Sequence, residues 1–149
     1  MVLNQEGVRV VEKDIGDSTT NQVVCKKIYV SDTGKVYVTG STAGLDASTG
    51  AVNMLLGQYD KNTLTVQWTK GWGSYSGNEV GLDIKATADE GYLYAVGYSN
   101  QFTQNSGGNN PIIVKFETGG AHVWSKGIGG NAVGQFNSVD MPADNSYVY

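Results

Sequence analysis

Acid–base chemistry in this chain would have to start from its one histidine, His122. A histidine base needs a nucleophile and an orienting partner beside it. His122 stands next to a hairpin on a predicted strand, where the matching position elsewhere in the chain is Val66, and a plain exposed or edge histidine follows from that setting. The one cysteine, Cys25, has no second thiol for a disulfide, a zinc site or a redox pair. Its place on a predicted strand, with Leu82 as counterpart, suggests a small buried hydrophobe. Calcium needs about 6–8 oxygens converging on one point. Asp17, Asp46, Glu79 and Asp83 are the acids that loops would offer, without a compact D-x-D-x-D-G run. Asp32, Asp89 and Asp144 recur at turns with Gly or Ser two residues on, and an Asp that bonds its own backbone accounts for them without a ligand. The residues thus give no catalytic, metal or cofactor constellation, and the chain reads as non-enzymatic.

The bulk properties narrow the partners. There are 149 residues with 10 basic and 14 acidic side chains, a formal charge of −4. A net negative chain without a Lys/Arg cluster offers phosphates little attraction, which argues against nucleic acid. No apolar run approaches the roughly 18–20 residues of a membrane span. The first residues, Met1-Val2-Leu3-Asn4-Gln5-Glu6, lack the charged and apolar regions of a signal peptide. Twenty-one glycines against 2 prolines, with 9 Tyr and 3 Trp, describe a turn-rich β protein rather than a disordered one.

Internal repetition sets the architecture. Val36-Tyr37-Val38-Thr39-Gly40-Ser41 recurs as Leu93-Tyr94-Ala95-Val96-Gly97-Tyr98, and Leu55-Leu56-Gly57-Gln58-Tyr59-Asp60 as Ile112-Ile113-Val114-Lys115-Phe116-Glu117, both 57 residues on. Trp68-Thr69-Lys70-Gly71-Trp72-Gly73 recurs as Trp124-Ser125-Lys126-Gly127-Ile128-Gly129, with an earlier copy at Val11-Glu12-Lys13-Asp14-Ile15-Gly16. Each repeat reads as four short strands rich in β-branched and aromatic residues. The first full copy predicts strands at 23–31, 35–41, 52–59 and 64–70; the second predicts 80–86, 92–98, 112–116 and 121–126. Four strands in about 57 residues is the arithmetic of a β-propeller blade. The glycines closing the second and fourth strands (Gly16, Gly40, Gly73, Gly97 and Gly129) would serve close packing or positive φ. Trp68, Trp124, Tyr37 and Tyr94 recur at equivalent positions, which favours packing between blades over a stacking platform for a ligand.

The motif Asp32-Thr33-Gly34-Lys35-Val36-Tyr37-Val38-Thr39-Gly40-Ser41-Thr42, with Ile113-Val114-Lys115-Phe116-Glu117-Thr118-Gly119-Gly120 and Val123-Trp124-Ser125-Lys126-Gly127-Ile128-Gly129-Gly130, resembles the SBBP family of β-propeller repeats along essentially the whole chain. Gly57 inside a third strand and Val11 in place of Trp depart from that pattern. The resemblance implies an all-β fold of propeller blades in an incomplete ring: residues 1–16 as the fourth strand of a preceding blade, 17–73 and 74–129 as blades, and 130–149 as the start of a following one. It also implies a secreted or cell-surface setting. At about 2.6 repeats, the chain looks like a cut-out piece or one subunit of a shared ring. Residues 8–13 could complete a sheet begun by residues 134–149 of another copy, with a third strand still lacking.

Function is expected at the loops. In a four-stranded meander the connections alternate between two ends. All the long polar segments (16–22, 41–51, 73–79, 99–111 and 130–135) fall at one of them. Connections longer than the minimum are where rigid scaffolds carry binding residues. Tyr75, Asn78, Glu79, Gln101, Phe102, Asn105 and Asn110 are the candidates, with rings and amides suited to a protein surface or to glycans. The expected role is a structural or protein-interaction scaffold, whose partner is a protein or the further blades that close the ring. A glycan-binding surface module is the alternative.

Overall fold

A computed structural model describes residues 2–11, 22–45, 51–74, 76–101, 108–128 and 133–149. These residues form ten strands: β1 (Val2–Leu3), β2 (Arg9–Val11), β3 (Gln22–Val30), β4 (Lys35–Ala43), β5 (Asn53–Asp60), β6 (Val66–Trp72), β7 (Glu79–Ala86), β8 (Tyr92–Ser99), β9 (Asn110–Glu117) and β10 (His122–Gly127). The class is all-β. Strands β3-β4-β5-β6 make one antiparallel sheet in sequence order and β7-β8-β9-β10 make a second, while β1 and β2 pair as a hairpin. Eight predicted strands thus appear within two or three residues of their expected limits. The largest shift is at β6, which begins at Val66 because Leu64 takes a left-handed conformation in the preceding turn (φ 51).

The two sheets pack face to face. Tyr37, Met54 and Leu56 of the first sheet share a buried cluster with Ile84, Ala86, Leu93, Ala95, Ile112, Val114 and Phe116 of the second. Alternation explains the choice along β9, where Ile112, Val114 and Phe116 are buried and Ile113 and Lys115 are less so. Each large apolar side chain withdrawn from water is worth about 1.5–3 kcal/mol. Residues 133–149 cover the other face of the second sheet, with Val139, Phe136, Met141 and Val148 against Tyr94, Val96, Ile113 and Trp124.

The segment 133–149 holds none of the ten strands, yet Asp140 and Tyr149 exchange both backbone N–H···O bonds (3.0 and 2.9 Å). The same position is filled by the pairs Tyr29↔Tyr37 and Lys85↔Tyr94 in the two sheets. The tight turns repeat as well. Gly34, Glu90 and Asn145 all have positive φ and donate to Ser31, Thr87 and Pro142 carbonyls. Gly7, Leu64 and Gly120 do so in the β1–β2, β5–β6 and β9–β10 turns, donating to Asn4, Asp60 and Glu117. The β1–β2 hairpin therefore matches the outer hairpin of a repeat, and the chain opens on two strands where one was expected.

A β-bulge sits at Cys25–Lys27 in β3 and at Gly81–Asp83 in β7, facing Gly40 and Gly97. Pairing opposite these glycines makes Gly81, not Leu82, the counterpart of Cys25. A Cβ on Gly40 or Gly97 would collide with the carbonyl oxygen of Val24 or Val80, so both glycines serve close approach, without positive φ. Gly16 and Gly129 lie outside the described residues. Gly97→Ala should cost about 1–3 kcal/mol, whereas Gly119→Ala, where a Cβ meets nothing within 4 Å, should stay within about 0.5 kcal/mol. Denaturant midpoints of the two variants against the parent chain check this.

Candidate functional site

Of the long-connection candidates, Asn78, Glu79, Gln101 and Asn110 are placed, and Tyr75, Phe102 and Asn105 lie outside the described residues. Asn78 is exposed and ties the connections together. Its Oδ1 accepts from Val52 N (3.2 Å), its N–H donates to Asn100 Oδ1 (2.7 Å), and its carbonyl accepts from Asn100 N (3.2 Å). Gln101 is exposed beside it, its N–H held by Ser99 Oγ (3.2 Å). Glu79 and Asn110 are instead the buried first residues of β7 and β9.

Glu79 is the deepest of the acids among the described residues, at 1% exposure. Ser99 Oγ (2.7 Å) and Ser74 Oγ (3.3 Å) donate to Oε1, and Ser74 N donates to Oε2 (2.8 Å). Gly73 and Gly77 leave the room: a Cβ on Gly73 would strike Glu79 Oε2, and one on Gly77 would come within 2.6 Å of Oε1. A buried carboxylate with three donors is satisfied, and its work is to fix the connection from β6 to β7. Asn110 closes a smaller loop through Nδ2 to Gly108 O (3.1 Å).

The main concentration of charge lies elsewhere, along the inner strands. Lys27 and Tyr29 of β3, Asp83, Ile84 and Lys85 of β7, and Ser138, Val139 and Asp140 line a cavity of about 260 Å³. Its polar residues come from two positions of the repeat. Lys27, Asp83 and Ser138 are equivalent, as are Tyr29, Lys85 and Asp140. Neighbours at one level bond to each other: Lys27 Nζ lies 3.3 Å from Asp83 Oδ1, Ser138 Oγ donates to Asp83 Oδ2 (3.0 Å), and Lys85 pairs with Asp140. Asp83 also accepts from Ile84 N (2.9 Å) and Val139 N (3.0 Å). Desolvation alone would raise the Asp83 pKa, but these donors together hold it below its ordinary value.

Glu90 does similar work at the tight-turn end. Its left-handed backbone (φ 52) aims the side chain at the preceding sheet, where Thr33 Oγ1 donates to Oε1 (2.6 Å) and Lys35 Nζ lies 2.9 Å from Oε2. Burial would raise its pKa, yet Thr33, Lys35 and Ser31 outweigh that and bring it down to about 2. One repeat on, Asn145 Oδ1 accepts from Ala88 N (2.9 Å). Beneath this contact Tyr37 is fully buried with its hydroxyl unpartnered; desolvation first, then the charge of Glu90, pushes the phenol up to about 12.

The other singled-out residues are structural in their surroundings. Trp68 Nε1 points to both Gln58 Oε1 and Thr118 O (3.0 Å each), the latter in the next sheet, and Trp124 meets Tyr94 edge-on at 5.9 Å. His122 is an exposed edge residue stacked on Trp72 (5.8 Å) and edge-on to Phe116 (5.8 Å). Asp89 Oδ1 accepts from Gly91 N (3.1 Å) and Asp144 Oδ1 from Ser146 N (3.0 Å), as turn acids do; in the first turn Ser31 Oγ accepts from Lys35 N (3.1 Å). Cys25 is a correction: it is exposed rather than buried, because β3 is an edge strand with one face uncovered. Asp17 and Asp46 lie outside the described residues, and among the described ones no three His, Cys, Asp or Glu side chains converge on a metal position. No helix among the described residues is long and apolar enough to cross a membrane. No protein-family model and no curated protein matches the chain.

The clamps Lys27–Asp83 and Thr33–Glu90 between the sheets, and Lys85–Asp140 between the second sheet and residues 133–149, are what sequence reasoning missed. Their positions repeat but their residue types do not, so self-similarity hides them. Because the Glu90 carboxyl titrates near 2 when folded against an ordinary 4.5, its contribution is complete above about pH 4.5 and is lost as pH falls toward 2. Glu90→Gln should therefore lower stability at neutral pH and flatten its decline across that window. Denaturant unfolding of both proteins over the acid range gives the comparison.

Proposed function

We propose that this chain is a set of SBBP-type β-propeller repeats acting as a non-enzymatic scaffold for protein contacts, with its binding surface on the long-connection end. The observation that carries this reading is where the reactive groups are spent. Asp83, Glu90 and Lys85 hold one repeat to the next, and Glu79 holds a connection in place. The long connections leave exposed amides at Asn78 and Gln101. Sequential four-stranded meanders stacked through contacts 55–57 residues apart support the blade reading. Rigid sheets beneath variable connections are a general way to present a recognition surface.

The test compares the two ends of the sheets. Asn78→Ala/Gln101→Ala removes exposed amides from the long-connection end, and Asn62→Ala/Thr63→Ala alters the β5–β6 turn at the other. Proteins crosslinked to each form are quantified against the parent chain. Binding at the long-connection end predicts a loss of about tenfold or more for the first pair, equivalent to about 1.4 kcal/mol, and none for the second. Equal recovery from both variants would overturn the assignment of that end.

A further inference from the structure

We infer that the cavity between β3, β7 and residues 138–140 binds one neutral sugar ring. This goes beyond the scaffold reading and uses a different surface from the long connections. The cavity volume is about 260 Å³. That is just under the roughly 300–1,000 Å³ of pockets for drug-sized ligands, which leaves room for a single ring and little beyond it. Three successive inner segments line it, and Asp83, at 4% exposure, is tied to all three. It meets Lys27 of β3, the N–H of Ile84 in its own strand, and Ser138 with the N–H of Val139.

The charges in the cavity already answer one another. Lys27 with Asp83 and Lys85 with Asp140 make two ion pairs, so two lysines and two aspartates sum to zero. A ligand carboxylate or phosphate approaching either ammonium would meet an aspartate beside it, and a ligand ammonium would meet a lysine. Like charges set side by side oppose binding. What remains open is hydrogen bonding. Each ammonium has three N–H donors, and Lys27 and Lys85 each direct one to its aspartate. Asp140 Oδ1 accepts from Lys85 and from Met141 N (2.8 Å), while Oδ2 has no partner among the described residues. The Tyr29 hydroxyl makes no hydrogen bond among them either.

A neutral polyol matches that remainder. Each sugar hydroxyl donates one hydrogen bond and accepts others. Neighbouring hydroxyls can therefore take an ammonium N–H on one side and give to a carboxylate on the other, with both ion pairs left intact. Each level of the cavity carries one such donor and acceptor: Lys27 with Asp83, then Lys85 with Asp140. Tyr29 supplies the other half of sugar recognition, an aromatic surface whose negative face suits the C–H groups of the ring. It lines the cavity and is half-buried. Its own ring is stacked on Tyr37 (6.4 Å, 17°), which restricts it before a ligand arrives.

The experiment follows backbone amide NMR shifts of the full chain as D-glucose, D-galactose, D-mannose and N-acetyl-D-glucosamine are added separately to millimolar levels. D-glucuronate and D-glucosamine serve as charged counterparts. At least one neutral sugar should saturably shift the amides of Lys27, Tyr29, Lys85 and Val139, and the charged sugars should bind about tenfold more weakly or worse. Lys27→Met removes the open donors while Asp83 keeps Ser138 Oγ and two backbone N–H groups. Tyr29→Leu removes the ring and its hydroxyl. Each should weaken the sugar by about tenfold in a chain whose spectrum stays dispersed, and the map on the parent chain stands by itself if either variant loses its fold. No saturable shift with any neutral sugar, equal or tighter binding of a charged one, affinity indifferent to both substitutions, or shifts centred on Asn78 and Gln101 would each overturn the inference.

Discussion

A four-stranded antiparallel sheet with apolar side chains on both faces has no stable state alone in water. Strands β4 and β8 are of this kind, buried along nearly their whole length. Stacking sheet on sheet is therefore the condition for each sheet to exist, and in a linear array every repeat depends on its neighbours. The buried cluster around Tyr37, Leu56, Ile84 and Phe116 is the complete example here. Its composition from two sheets means that this cluster is lost if either sheet is removed, while Val36, Val38, Leu55 and Tyr59 form a second buried cluster on the first sheet alone.

Apolar burial alone would let one sheet slide along another, and the buried polar groups prevent that. Asp83 and Glu90 each lie where a charge is costly unless donors surround it. Asp83 finds Lys27 on one neighbour and Ser138 with Val139 N on the other; Glu90 finds Thr33 and Lys35. A slip of one residue would leave these carboxylates unpaired and desolvated. The acids thus act chiefly on register, with only part of the stability.

Strand identity was legible because it rests on local composition, and the repeat confirmed each strand by a second copy. Conformation at single residues was less so. Leu64 in a left-handed turn defies its own preference and shortens β6 at its start. The turn from β7 to β8 is one residue longer than that from β3 to β4, and this puts Cys25 out of register with Leu82, because one added turn residue leaves no mark in composition. Cys25 exposes the limit more sharply. Burial is a property of what lies opposite, and the sequence of β3 resembles that of a covered strand while its face is open. At the candidate site, Glu79 read as a loop acid because its donors, Ser74 and Ser99, are ordinary polar residues until the fold converges them.

The two ends of the sheets divide the labour. At the tight-turn end, bonds run between neighbours in a repeated pattern: Thr33 to Glu90, Ala88 to Asn145, Lys61 N to Gly34 O, and Thr118 N to Gly91 O. Two of these join successive sheets or segments, and two join the hairpin turns within a sheet. Substitution there disturbs the stack itself. At the other end, Val52 bridges to Asn78 and Glu79 anchors Ser74 and Ser99, which fixes where the long connections leave the sheets without prescribing what they carry. Sequence can thus vary at one end while the other keeps the repeats in register.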